Sequence, residues 1–195
     1  MQVYARHFRK SMKQESKILN LFAVVSLDGR IAMSISDPVH WSSREDKEIL
    51  RQAIQDHDVF VMGRVTYQVC HEMLKGKKCV VITRQSSLSS VNLPDLILFN
   101  PSLSDFGAFL TQFSSAKVAL FGGASIYKLA LEMNLVSRIY LTLEPVIMGG
   151  GISLTGSDPP WESLDGWVMQ DCRKLNSRGT LQLVYAKELT AEKSI

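Results

Sequence analysis

The chain is short of cysteine, has no long apolar run and carries no basic stripe, and each shortage removes a class of function. Cys70, Cys79 and Cys172 are widely spaced, with no C-x-x-C among them. Such an odd set makes neither a disulfide framework nor a zinc site, and it fits a reduced, cytosolic interior. His7, His40, His57 and His71 lack metal-like spacing, and His57 and His71 read as surface residues. No apolar stretch approaches the ~18 residues of a membrane span. Lysines and arginines are scattered rather than interleaved with aromatics, so nothing points to nucleic acid. No Ser-His-Asp or Cys-His order offers a nucleophile, and the dinucleotide fingerprint G-x-G-x-x-G is missing.

What remains is an ordinary globule. At 195 residues, 46% hydrophobic and 21% charged, the chain suits one domain with a sizeable core. A net charge of +3 is mild and favours an anionic small molecule. Residues 1–17 stand apart: Arg6, Arg9, Lys10 and Lys13 precede the first acid, Glu15. They read as a basic tail or short extra helix, with a transit-like presequence as the alternative; a secretory leader would need an apolar segment that they lack. The domain is expected over residues 18–190.

Within it, short β-rich runs alternate with helical patterns. Strands are expected at 18–26, 58–63, 78–83, 96–100, 117–122 and 138–147. Helices are expected over about 43–55, from 64 and from 124, and through about 102–114. The Ser-rich stretch 84–90 is a loop, and "GWVMQDCRKL" with "TLQLVYAKEL", joined by "NSRG", reads as an antiparallel hairpin. This order predicts an α/β domain whose mostly parallel sheet has an antiparallel edge.

Three segments fall at the carboxyl ends of predicted parallel strands, where open α/β sheets bind ligands. "MGRVT" (62–66) ends a strand in glycine and starts a helix at once, leaving backbone N–H groups free for a phosphate, with Arg64 as a cation. "ITRQ" (82–85) offers the Thr83 hydroxyl and the Arg84 guanidinium. "FGGASIY" (121–127) places two glycines before a second helix. Together they suit a pyrophosphate plus an extra phosphate, which favours NADPH over NADH. The cluster "IMGGG" (147–151) is either a closing loop or a bulge.

Asp46 has two readings. Ser43 followed by Asp46, and Ser42 followed by Glu45, both resemble capping boxes. Yet Ile49, Leu50, Ala53 and Ile54 lie at +3, +4, +7 and +8 from Asp46, which puts it in line with the inward stripe. A carboxylate there is costly unless something needs it. The pairing of Ser42 with Glu45 would start the helix and leave Asp46 free.

These residues resemble the dihydrofolate reductase-like superfamily, and most closely its riboflavin-biosynthesis reductase-domain branch, from about Leu21 to Leu154. "SLDGRIA" (26–32) and "PVIMGGG" (145–151) look like the riboflavin-type branch. Trp41 with Asp46, "MGRVTY", "TRQ", "GGASIY" and "YLT" fit both branches.

The resemblance implies a three-layer fold and an NADPH-dependent oxidoreductase transferring hydride to a C=N carbon of a pteridine- or pyrimidine-type substrate. A genuine dihydrofolate reductase is the alternative, and a non-catalytic NADPH-binding protein the alternative of another class. It implies cofactor contacts at Ala23, Val24, Gly63, Arg64, Val65, Thr66, Thr83, Arg84, Gly122, Gly123, Ala124, Ser125 and Ile126, with the Gly122–Gly123 peptide cis. Asp46 and Thr142 would be catalytic; Asp28, Trp41, Asp46 and Leu50 would meet substrate, with Asp28–Met33 in a loop over it. A homodimer is implied by analogy. The chain departs from the riboflavin-type pattern at "YQVCHEML" (67–74), where an Asp-Asp-Pro-type stretch usually serves a phosphoribosyl group. It departs from dihydrofolate reductases at His40, in place of a proline, and at Leu50, in place of an aromatic residue.

Overall fold

The β-rich runs become strands because their side chains alternate between two buried faces, which a strand at the centre of a layered domain requires. The structure, a computed structural model, describes residues 19–35, 37, 39–84, 95–156 and 166–188. The expected basic tail and most of the Ser-rich loop, with Gln85, lie outside these residues.

The strands are β1 (Leu19–Ser26), β2 (Arg30–Ala32), β3 (Val59–Gly63), β4 (Lys78–Ile82), β5 (Leu96–Phe99), β6 (Val118–Gly122), β7 (Val136–Glu144), β8 (Ile152–Ser153), β9 (Trp167–Lys174) and β10 (Leu181–Lys187). The helices are α1 (Arg44–Asp56), α2 (Arg64–Cys70), α3 (Phe106–Leu110) and α4 (Ala124–Glu132), with 3-10 turns at His71–Leu74 and Thr111–Phe113. Eight strands form one sheet in the order β5-β4-β3-β6-β1-β7-β10-β9. The first six run parallel; β10 is antiparallel to both β7 and β9, so the hairpin forms the edge as expected.

Alternate residues of the central strands feed two cores. Val59, Val61, Val118 and Leu120 point to the side packed by α3 and α4, with Phe106, Leu110, Ile126 and Ala130. Phe60, Met62, Val81 and Phe121 point to the other side, with Ala53 and the partly buried Leu50, Ile54 and Tyr67 of α1 and α2. Helices thus cover both faces, giving the three layers.

Several expectations shift. The helix placed at about 102–114 shortens to α3 because Asp105 caps it, its carboxylate accepting from Ala108 N–H at 2.7 Å. The strand placed at 138–147 ends at Glu144, where Pro145 follows with no N–H to donate. A second sheet, β2 paired antiparallel with β8, was not foreseen. His57 is buried, 6% exposed, rather than at the surface. Its Nδ1 lies 2.8 Å from the Ala53 carbonyl, its Nε2 2.9 Å from Asn20 Nδ2, and its ring stands edge-on to Phe22. Both nitrogens are satisfied, so the ring tolerates burial, which holds its pKa below the ordinary value. His71 is exposed, as expected.

Candidate active site

A cavity of about 680 Å³ opens at the carboxyl ends of β1, β3, β6 and β7. It has a glycine wall and an acid wall.

The glycine wall is made by two helix starts. Helix α2 begins at Gly63 and α4 at Gly123, and neither has a side-chain cap, so the N–H groups of their first residues have no side-chain acceptor. Gly63, Arg64, Val65 and Thr66 line it from one helix, and Gly123, Ala124, Ser125 and Ile126 from the other. The helices approach so closely that a Cβ at Gly63 would lie 3.3 Å from Ile126 Cγ1. The Gly122–Gly123 peptide is cis. Gly122 has φ +85°, and a Cβ there would fall 2.4 Å from Cζ of Tyr127, whose hydroxyl donates to the Phe22 carbonyl at 2.6 Å. Lys128 lines the cavity one turn beyond Ala124, giving a second cation with Arg64.

The acid wall centres on Asp46. Ser43 caps α1, its hydroxyl accepting from Asp46 N–H at 3.2 Å. The expected pairing of Ser42 with Glu45 is therefore corrected: Glu45 instead accepts from Asn176 Nδ2 at 2.9 Å, and Ser42 hydrogen-bonds the Asp46 carboxyl. That carboxyl points away from the cap and into the cavity beside Ile49 and Leu50. Burial pushes its pKa up; hydrogen bonds from Thr142 and Ser42 pull it down, and the charge of Glu144 adds to the rise. Thr142, 2% exposed, is opposite Val24 in the β1–β7 ladder, so strand register sets its place. Phe22 and Tyr140, also partners in that ladder, stack 4.6 Å apart on the wall. Ala23, Val24, Ile31 and Ala32 complete an apolar lining.

The structure thus brings together Ala23, Val24, Asp46, Leu50, Gly63–Thr66, Gly123–Ile126 and Thr142 around one cavity. It sets others outside the lining. Thr83 and Arg84 follow β4, and Gly122 packs directly against the Tyr127 ring. Trp41 is half-buried, its indole Nε1 buried with no hydrogen-bond partner. Asp28 faces a neighbouring loop: Ser26 Oγ donates to its carboxylate at 2.6 Å, Met148 N–H at 3.0 Å and Gly149 N–H at 2.9 Å. These bonds hold its pKa down at about 2. They also give the cluster at 147–151 a role as the anchor of Asp28, while Gly151 passes so close to β2 that a Cβ would meet the Ala32 carbonyl at 2.3 Å.

Phe22, Lys128, Tyr140 and Glu144 were not anticipated. The signal for two of them was present: Tyr140, Thr142 and Glu144 are spaced by two along β7, so one strand face carries a run of polar tips into a buried wall. Among the described residues no group of His, Cys, Asp and Glu could hold a metal ion, and no helix is long and apolar enough to cross a membrane.

Comparison with known proteins follows the same geometry. Residues 20–151 match the family model described as dihydrofolate reductase. The chain is 38% identical over 90 residues to the type 8 dihydrofolate reductase of Escherichia coli, a match over 42% of this chain and 53% of that protein. It therefore spans about half the length of that relative. It is 21% identical over 145 residues to the dihydrofolate reductase of Buchnera aphidicola, covering 74% of this chain and 83% of the relative. In fold it is similar to a deaminase/5-amino-6-(5-phosphoribosylamino)uracil reductase from Thermotoga maritima, with TM-score 0.68, 16% identity and coverage of 94% and 60% of the two chains. A pyrimidine reductase-like protein from Corynebacterium diphtheriae gives TM-score 0.66, 15% identity and coverage of 91% and 96%. The Enterococcus faecalis dihydrofolate reductase complexed with NADP(H) gives 0.64, 13% identity and coverage of 88% and 97%.

Proposed function

The chain belongs to the dihydrofolate reductase family, and from that premise we propose that it is an NADPH-dependent reductase acting on a C=N bond of a pteridine- or pyrimidine-type heterocycle. The observation that carries the reading is Asp46: a half-buried acid, its pKa raised by desolvation, on the same cavity as two uncapped helix starts.

The residues present fit a dinucleotide. Two glycine turns bring backbone N–H groups to one cavity, and Arg64 and Lys128 add positive charge. In this reading Gly63–Thr66 and Gly123–Ile126 hold the phosphates, Arg64 grips the 2′-phosphate, and Ala23 and Val24 floor the nicotinamide side. Thr83 and Arg84 serve the adenosine side from the end of β4. When bound, the cofactor supplies hydride.

The chain's own part is to exclude water and manage one proton. Phe22, Ile31, Ile49, Leu50 and Tyr140 form dry walls. Thr142 and Ser42 orient the Asp46 carboxyl, and the proton that its raised pKa helps it to hold serves the heterocycle nitrogen as its neighbouring carbon is reduced. Activity accordingly falls as pH rises through the elevated pKa of Asp46.

Dihydrofolate itself is the second reading for the substrate, favoured by the two curated relatives above. A panel of dihydrofolate, other pterins and amino-pyrimidines, scored by loss of NADPH absorbance, tests both. Turnover of dihydrofolate alone selects the second reading, turnover of another heterocycle selects the first, and NADPH binding without turnover of any sinks catalysis.

A further inference from the structure

The start of α1 is capped in an unusual way. In a capping box the acid three residues past the cap returns its carboxylate to the cap residue's N–H. Here Asp46 N–H donates to Ser43 Oγ, but Ser43 N–H donates at 2.7 Å to Glu144 Oε1, from a strand 101 residues later. Glu144 is 3% exposed, and its other oxygen, Oε2, accepts from Thr180 Oγ1 at 2.7 Å. Asn176, in the turn between β9 and β10, bonds both Thr180 Oγ1 and Glu45 Oε2. The turn of the edge hairpin is therefore tied to the first turn of the acid-bearing helix.

We propose that Glu144 is a positioning residue for Asp46: it takes the backbone bond that would draw the Asp46 carboxyl back to Ser43, and it sets a second carboxylate behind the first. The role in catalysis rests on Asp46 being the site acid; the coupling of the two carboxyls does not. Glu144 faces Asp46 from β7, Tyr127 from α4 and Lys47 from α1 itself, with Asp37, Arg64 and Lys128 elsewhere on the cavity lining. Of the two other carboxylates, Glu144 is the one whose charge acts on Asp46 and disfavours a second charge there.

The test is a carbon-13 carboxyl titration of Asp46 in the ligand-free protein, for the wild type, Glu144→Gln and Thr180→Val. Gln can accept from Ser43 N–H at its Oε1 and turn its amide N–H₂ to donate to Thr180 Oγ1, removing the charge while both contacts stay hydrogen-bonded. In Glu144→Gln the Asp46 midpoint falls by ~0.3 pH unit or more, and the alkaline limb of kcat/KM moves down with it. Thr180→Val keeps the charge and moves the midpoint less than half as far. An unmoved midpoint in Glu144→Gln, or an equal shift in Thr180→Val, overturns the proposal. Should Glu144→Gln not fold, amide exchange in the wild type decides: Ser43 N–H exchanges at least ~10-fold more slowly than Arg44 N–H, and equal rates overturn the capping role. Loss of all turnover with the carboxyl coupling intact would instead count against the reductase reading.

Discussion

The glycine wall of the cavity is built from consecutive residues, strand into glycine into helix, twice over: Met62–Thr66 and Phe121–Ile126. The acid wall is assembled across the chain, with Asp46 oriented by Thr142 and its helix capped through Glu144, which in turn is bonded by Thr180. A local turn presents backbone N–H groups whatever the neighbouring side chains are, so it can serve any phosphate. A buried carboxyl needs partners from several strands to be tolerable at all, and those partners decide its proton. Generic binding and specific chemistry therefore occupy opposite walls.

Breaking the acid wall has the largest effect. Asp46→Asn lowers kcat/KM by ~10²-fold or more, measured by NADPH oxidation, and the protein stays folded. The stability change has the opposite sign. Because the folded-state pKa of Asp46 is raised, its contribution is fully present below the unfolded pKa and is lost as pH rises through the folded value. Wherever Asp46 is ionised in the folded protein, its charge therefore costs stability. Asp46→Asn should unfold at a higher temperature than the wild type at neutral pH, with the gap closing as pH falls. A less stable variant at every pH would contradict the buried-acid account.

On the glycine wall the largest effect is steric. Gly122→Ala puts a methyl group 2.4 Å from the Tyr127 ring at a positive φ, and Tyr127 is buried with its hydroxyl committed to the Phe22 carbonyl. The ring cannot yield without opening the core, so the expected loss is ~3 kcal/mol or more, read by urea unfolding. Alanine at Gly150, where a Cβ would meet nothing within 4 Å, is the control.

The same division explains what sequence could reveal. Strand and helix order was legible because apolar alternation and helical spacing are local, and "GGASIY" announced its turn through residue type alone. The stripe of Asp46 with Leu50 and Ala53 was legible for the same reason. The partners of Glu144 were not, since they sit 101 residues before and 36 after it. His57 was misread because nothing local signals that Asn20 and the Ala53 carbonyl will satisfy both ring nitrogens. The β2–β8 pair joins segments about 120 residues apart, and β2 has only three residues to advertise it.

Charge on the glycine wall is the next lever. Arg64→Ala should weaken NADPH binding ~10- to 100-fold, the range of a lost charge-assisted bond, while NADH affinity changes less than ~3-fold. Calorimetric titration of both cofactors decides. Equal losses would assign Arg64 to the pyrophosphate rather than the 2′-phosphate.

Asp28 gives the smallest effect and the sharpest contrast with Asp46. Both are half-buried loop-end or helix-end carboxylates, yet the pKa of Asp28 is held down at about 2 by Ser26 Oγ and the N–H groups of Met148 and Gly149. Its bonds tie the loop before β2 to the loop before β8, and Ile31, Ala32 and Ile152 of that small sheet line the cavity. Asp28→Asn should therefore raise KM by ~2- to 5-fold with kcat little changed, the pattern of lost uniform binding. The sign with pH reverses relative to Asp46: a depressed folded pKa contributes stability above the unfolded value near 3.8, lost as pH falls toward about 2. Thermal unfolding of wild type and Asp28→Asn should differ at neutral pH and converge near pH 2. A drop in kcat comparable to that of Asp46→Asn would move Asp28 from anchoring the loop to the chemistry itself.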